Sequence, residues 1–394
     1  MTERFFKFSA RTNWDLSENP LSLELETLKA KGVEIFDLTE SNPTRAGFQY
    51  SPDIFLKPLT HPESLIYAPH PQGLLSAREA VARYYKEKGE VISPEQLVLT
   101  SSTSEAYSFL FRLLFNAGDR VLVPAPSYPL FSYLAGLNDV EVDYYQLEFS
   151  DGVWQINFPS IESSMTALTR AVILVSPNNP TGSSLKKEEL KKLNKVCRAH
   201  NLAIISDEVF SDYLFDERDD ICKTVAGNNA VPIFALGGVS KALAMPQMKL
   251  SWIVSNGPGD YLSQCMPRLE MIADTYLSVN TPVQNAASAW LKERHVIRDQ
   301  VLNRVKENFS VLKKGVSKNP RVSLFPVEGG WYAVLKADLL LPEDEWAIKL
   351  LRDKQVYVHP GFYFDFKDEG YIVLSLLPRP EIFQEGIFRL MSAF

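Results

Sequence analysis

Five short apolar runs, each ending in polar residues unusual for a strand exit, constrain this chain more than any other feature. They are Gln96-Leu97-Val98-Leu99, Arg120-Val121-Leu122-Val123, Ala171-Val172-Ile173-Leu174-Val175, Leu202-Ala203-Ile204-Ile205 and Pro232-Ile233-Phe234-Ala235-Leu236. Runs of this length with little polar alternation suit strands buried on both faces, as in a mostly parallel sheet covered by helices. Helical spacing appears between them: after Gly182, Leu190, Leu193 and Cys197 share one face, with Lys and Glu on the other. The fold class is therefore α/β, with a large domain whose mostly parallel sheet lies between helices.

Near Asn280-Thr281-Pro282 the pattern changes to a helical stretch over residues 284–314. An apolar segment at 330–335, a helix at 344–353, and strands at Val356-Tyr357-Val358 and 371–376 follow. These read as a smaller α+β domain joined by the first residues of the chain. The expected division is a large domain at 49–285 and a discontinuous small domain at 1–48 and 286–394. With 394 residues the chain exceeds the size at which one core usually stops growing, so two domains are expected.

Composition narrows the function classes. A net charge of −7 argues against a nucleic-acid partner, because phosphate-backbone binding needs clustered Lys and Arg. The runs Lys186-Lys187 and Lys191-Lys192 flank Glu188-Glu189 and read as a solvated helix face. Cys197, Cys222 and Cys265 are widely spaced and form no CxxC, which fits a reducing compartment. Neither these cysteines nor the scattered His61, His70, His200, His295 and His359 have metal-ligand spacing, so no metal is expected. Residues 1–10 hold no apolar run of signal length, and eighteen apolar residues never occur together. A cytoplasmic protein without a membrane partner is expected.

The chemistry sits at the strand exits. Thr100-Ser101-Ser102-Thr103-Ser104 follows the first run and opens a helix, and Pro126-Ser127-Tyr128 follows the second. Ser176-Pro177-Asn178-Asn179-Pro180-Thr181-Gly182 follows the third, Asp207-Glu208 the fourth and Gly237-Gly238-Val239-Ser240-Lys241 the fifth. In an open parallel sheet, ligands bind beyond the carboxyl ends of the strands. Hydroxyls and free amides at a helix N-terminus suit a phosphate, because those amides lack intrahelical partners. A carboxylate and a lysine are the two groups that pyridoxal 5′-phosphate (PLP) chemistry requires: one keeps the ring nitrogen protonated, the other forms the Schiff base. Gly237-Gly238 reads as close backbone approach beside Lys241. Taken singly, Ser102 could be a plain N-cap, Asn179-Pro180-Thr181-Gly182 a tight turn and Lys241 a surface lysine; their coincidence at five strand ends decides for a PLP site.

Asn179-Pro180-Thr181-Gly182, Asp207-Glu208-Val209-Phe210 and Ser240-Lys241, in this order and spacing, resemble the fold-type I, class I/II aminotransferases, whose large domain carries a seven-stranded type of sheet. Tyr67 with Gly73 and Arg78, and Pro126-Ser127-Tyr128, extend the likeness over nearly the whole chain. The resemblance implies that Lys241 holds PLP as an internal aldimine and shuttles the proton, while Asp207 pairs with the pyridinium nitrogen. It further implies that Asn179 meets the phenolic oxygen and Tyr128 stacks on the ring. Ser102, Thr103, Ser104, Ser240 and Lys249 would hold the phosphate, with Tyr67 reaching across a homodimer. Asn42, in the substrate loop Glu40-Ser41-Asn42-Pro43, and Asn179 would face the substrate.

Departures from the family pattern are specific. Phe210 stands in place of a tyrosine, Lys249 of an arginine, Gly238 and Gln247 of a serine and a glycine, and Ser41 of a glycine. Val373 stands where an arginine usually clamps the substrate α-carboxylate, so either another cation, Arg379 or failing it Arg45, takes the role or the substrate is not a conventional amino acid. The activity implied is transfer of an amino group from an α-amino acid to a 2-oxo acid by a ping-pong cycle. A decarboxylase or carbon–sulfur lyase on the same fold, and a non-catalytic PLP-binding protein, are the alternatives.

Overall fold

A computed structural model describes residues 7–277 and 279–394; residues 1–6, part of the segment considered above for a leader, and Ser278 lie outside the described residues. In chain order the strands are β1 (Phe36–Asp37), β2 (Leu97–Thr100), β3 (Arg120–Ala125), β4 (Glu141–Ser150), β5 (Val153–Ile156), β6 (Thr169–Val175) and β7 (Ala203–Asp207). There follow β8 (Ile233–Gly238), β9 (Ser251–Asn256), β10 (Val322–Leu324), β11 (Tyr332–Ala337), β12 (Val356–Tyr357), β13 (His359–Pro360) and β14 (Tyr371–Ser375).

The large sheet has the order β2-β9-β8-β7-β6-β3-β4-β5. Its centre, β8-β7-β6-β3-β4, is parallel throughout, β9 runs antiparallel between β2 and β8, and β5 folds back on β4 as a hairpin. All five apolar runs of the sequence are strands here, β2, β3, β6, β7 and β8, and four of them are buried along nearly their whole length. Two apolar layers cover the sheet. On one face, Tyr107, Phe111, Ile173, Ile205 and Phe234 pack with the helices Thr103–Leu114 and Tyr261–Tyr276; on the other, Val172, Ile204, Leu193 and Cys197 pack under Lys187–His200.

A second, antiparallel sheet has the order β10-β11-β14-β13. The N-terminal part joins it: β1 pairs in parallel with β12, and Leu21 and Leu25 of the helix Pro20–Ala30 pack on Ala347 and Leu351 of the helix Glu343–Lys354. The single helical stretch expected over 284–314 is two helices, Thr281–Lys292 and His295–Val316. Glu293 leaves helical geometry at φ −96°, ψ 11°, and the Arg294 guanidinium turns back to donate to the Leu291 carbonyl at 3.0 Å and to pair with Glu87. The expected boundary at 285/286 falls inside the first of these helices. The strand expected over 356–358 is β12, Val356–Tyr357, which pairs with β1; a separate strand, β13, begins at His359 and pairs with β14.

Candidate active site

The register of the parallel strands sets the site. Val175 at the end of β6 pairs with Asp207 at the end of β7, and Asp207 with Leu236 of β8. Asp207 therefore lies between the Asn179 turn on one side and the one-turn helix Val239–Ala242, which carries Ser240 and Lys241, on the other.

Burial raises the Asp207 carboxyl to about 6. The Val209 amide donating to Oδ1 at 3.2 Å, the Tyr107 hydroxyl donating to Oδ2 at 3.3 Å and the nearby Lys241 all act the other way. Its neighbour Glu208 plays a separate, internal part, accepting from the Thr224 hydroxyl at 2.6 Å and the Val225 amide at 2.7 Å.

Lys241 is held from both ends. Its carbonyl accepts from the Tyr213 hydroxyl at 2.6 Å, and its Nζ lies 4.8 Å from the centre of the Trp331 ring and 5.5 Å from that of Phe210. Loss of hydration pushes the ammonium down to about 8, with Asp207 opposing. Asp207 and Lys241 are both only partly shielded from solvent. The glycines before Lys241 serve close approach: a Cβ on Gly237 would stand 2.6 Å from the Trp252 indole nitrogen, and one on Gly238 would collide with the Ser251 hydroxyl.

The third element is the turn after β6. Asn178 closes it, its Oδ1 accepting from the Thr181 amide at 3.3 Å and hydroxyl at 2.9 Å. Asn179 is only 7% exposed, yet its Oδ1 has no hydrogen-bond partner among the described residues, and the buried Ser127 hydroxyl is also unpartnered. These atoms keep hydrogen-bonding capacity for a ligand, Asn179 Oδ1 as an acceptor and the Ser127 hydroxyl as a donor or an acceptor. The residues present fit PLP: an unpartnered buried amide, a desolvated amine near neutrality and a buried carboxylate beside it.

Where the phosphate was expected, Ser102 caps the helix Thr103–Leu114, its Oγ accepting from the Glu105 amide at 3.1 Å. The capping and anion-binding readings are compatible, since the hydroxyl proton and the first helix amides stay available. Thr103, Ser104 and Ser240 are half-buried there; Lys249 is exposed, at φ 54°. Tyr128 follows Ser127, whose amide donates to the Phe364 carbonyl at 2.9 Å and so ties this loop to the segment before β14. Tyr332 of β11 lies beside Ser41 and Tyr128, and burial pushes its phenol up to about 12.

Other expected site residues stand apart. Tyr67 is 79% exposed. The Asn42 side chain accepts from the Thr44 amide and hydroxyl, closing its own turn. Arg379 and Arg45 are exposed, and the Arg379 guanidinium lies against Gly47, where a Cβ would meet Nε at 2.8 Å. Val373 is buried with Trp154, Val334, Phe364 and Phe366. Three contributors went unseen in the sequence: Tyr107, Tyr213 and Trp331. Helical spacing from the Ser102 cap places Tyr107 on the inner face; nothing local marks the other two.

Imine formation needs the neutral amine, so uptake of PLP by the cofactor-free protein should quicken as pH rises and level off above about 8, where Lys241 loses its proton. Stopped-flow absorbance against pH measures this; a profile flat from 6 to 9 contradicts the assignment of Lys241.

Residues 56–381 match the family described as aminotransferase class I and II. The chain belongs to that family. As a class I/II aminotransferase it is an enzyme, a PLP-dependent transaminase of fold type I. It is 26% identical to the glutamate-pyruvate aminotransferase of Haemophilus influenzae over 378 residues, covering 94% of this chain and 93% of that one. To an alanine aminotransferase of Mycobacterium tuberculosis it is 28% identical over 389 residues, covering 95% and 90%. Among solved structures, an alanine aminotransferase from Pyrococcus furiosus superposes with a TM-score of 0.88 at 25% identity, covering 98% of this aminotransferase and 99% of that chain.

Proposed function

We propose that this aminotransferase exchanges an amino group between glutamate and pyruvate, with alanine as the other amino acid. The carrying observation is the placement of Lys241, Asp207 and Asn179 side by side at three adjacent strand ends; the named activities of the relatives supply the substrates.

Each residue has a task. Lys241 would hold PLP covalently and would carry the proton to and from the substrate α-carbon; a pKa of about 8 leaves part of the free amine neutral at pH 7. Asp207 would keep the ring nitrogen protonated, Asn179 would donate to the phenolic oxygen and Tyr128 would cover the ring. Ser102, Thr103, Ser104, Ser240 and Lys249 would hold the phosphate. When bound, PLP supplies a protonated ring that withdraws electrons from the substrate α-carbon. The exposed row Leu65, Ile66 and Tyr67 supports a homodimer in which Tyr67 reaches the other subunit's phosphate site. Asn179 would face the substrate; Asn42, engaged with Thr44, and Arg379, exposed beside Gly47, would have to turn toward it to do the same. The two-domain division at 49–285 against 1–48 and 286–394 belongs to this reading, as does a cytoplasmic location.

The test is the half-reaction: PLP-loaded protein mixed with alanine or glutamate, without acceptor, should lose its PLP absorption and gain that of pyridoxamine phosphate. No conversion with either donor overturns the substrate assignment. Arg379→Ala should lower kcat/KM by roughly 2 kcal/mol in transition-state terms, the scale of a charged hydrogen-bond partner, and leave PLP affinity alone. Unchanged kinetics would move the α-carboxylate contact to Arg45.

A further inference from the structure

We infer that Tyr107 is a positioning residue that fixes the Asp207 carboxylate toward the ring nitrogen of PLP, a role resting on the reading of Asp207 given above.

The helix Thr103–Leu114 starts at a fixed point, the Ser102 cap, and Tyr107 comes five residues later on its buried face. The ring is 2% exposed and held by Phe131, edge-on at 5.4 Å, and by Phe111 at 6.1 Å. Its hydroxyl reaches across to β7 and donates to Asp207 Oδ2 at 3.3 Å, long for such a contact. Burial and the charge of Asp207 keep the phenol protonated, so the direction of donation is settled.

The consequence concerns carboxylate geometry. The terminal torsion of an aspartate is broad, and the Val209 amide alone pins only Oδ1. With Tyr107 on Oδ2, each oxygen carries one donor from the protein and keeps a lone pair for the cofactor. The titratable groups that reach Asp207 are Lys241, from the helix after β8, and the neutral phenol of Tyr107, with that of Tyr145 behind it. Glu208 is engaged with Thr224 and Val225. Tyr107 is thus the one side chain among the described residues that donates a hydrogen bond to this carboxylate.

Tyr107→Phe removes the hydroxyl and keeps the ring, so packing is preserved. The measurement is the dissociation constant of the cofactor-free protein for PLP and for the 1-deaza analogue, whose ring nitrogen is replaced by C–H. Wild type, Tyr107→Phe, Asp207→Asn and the double variant are compared. Tyr107→Phe is expected to weaken PLP about tenfold, the scale of a hydrogen bond to a charged group, and to leave the deaza analogue unaffected. In the Asp207→Asn background the same change should cost nothing further. In turnover, kcat should fall about tenfold with the donor KM within twofold. Equal losses for both analogues would reduce Tyr107 to a packing residue, and no loss for either would remove the inference. If Asp207→Asn itself binds PLP as wild type does, the assignment of Asp207 fails instead.

Discussion

Lys241→Ala should abolish turnover, by about 10⁴-fold or more, while the protein still binds PLP without a covalent bond. One amine is both the nucleophile and the proton carrier, so no second group inherits either task. The backbone there is held independently of the side chain, by the Tyr213 hydroxyl on the Lys241 carbonyl and by the tight seating of Gly237 and Gly238 on Trp252 and Ser251. The variant should therefore fold with its cleft intact. Borohydride reduction followed by mass spectrometry should fix the cofactor to the wild type and leave the variant unmodified. A reducible bond or normal turnover in the variant would remove the central assignment.

The second large effect is expected at Asp207. Replacement by Ala should lower kcat by about 10³-fold, the scale of losing a preorganised charge opposite the reacting system. Substrate affinity should change much less, because the role proposed for Asp207 is toward the ring nitrogen and not toward the substrate. The sign with pH follows from its position: with a carboxyl raised to about 6, the ionised form is complete above that value and is lost as pH falls through it. The wild type should thus lose activity on the acid side near 6, and that limb should vanish in the variant. A loss under tenfold in kcat would mean that the ring nitrogen lies elsewhere.

Much of the architecture was legible because burial on both faces leaves a distinct trace: β2, β3, β6, β7 and β8 read as unbroken apolar runs. β4 left no such trace. It is largely exposed, with Glu141, Asp143 and Glu148 along it, and resembles a polar connector. β9 is masked by its position, starting only nine residues after the end of the helix bearing Lys241 (251 − 242 = 9). The break between Thr281–Lys292 and His295–Val316 has no Pro or Gly to announce it; Arg294 there bonds back to Leu291 and pairs with the sequence-distant Glu87, a partner invisible to local pattern.

The site divides in the same way. Lys241, Asp207 and Asn179 stand at strand ends, where a polar residue after an apolar run is conspicuous. Tyr107 and Trp331 are aromatic residues in apolar surroundings, and Tyr213 follows a loop; each looks like ordinary core until distances are known. Val373 belongs to the packing side of that division: its place in β14, inside the cluster of Trp154, Phe364 and Phe366, accounts for its being apolar.

The pairing of Phe36 with Val356 joins residues 320 positions apart (356 − 36). At roughly 5–20 residues per second, a ribosome needs about 16–64 s to make that interval. During this time Leu21, Leu25, Phe36 and Leu38, all buried in the finished protein, have no partner from the C-terminal part. The intervening segment, which contains every strand of the large sheet, can assemble first. Nascent chains stalled before residue 340 should therefore carry a folded centre and a sticky amino-terminal tail, a state that invites chaperone capture and punishes premature stop codons more severely than the small number of lost residues implies.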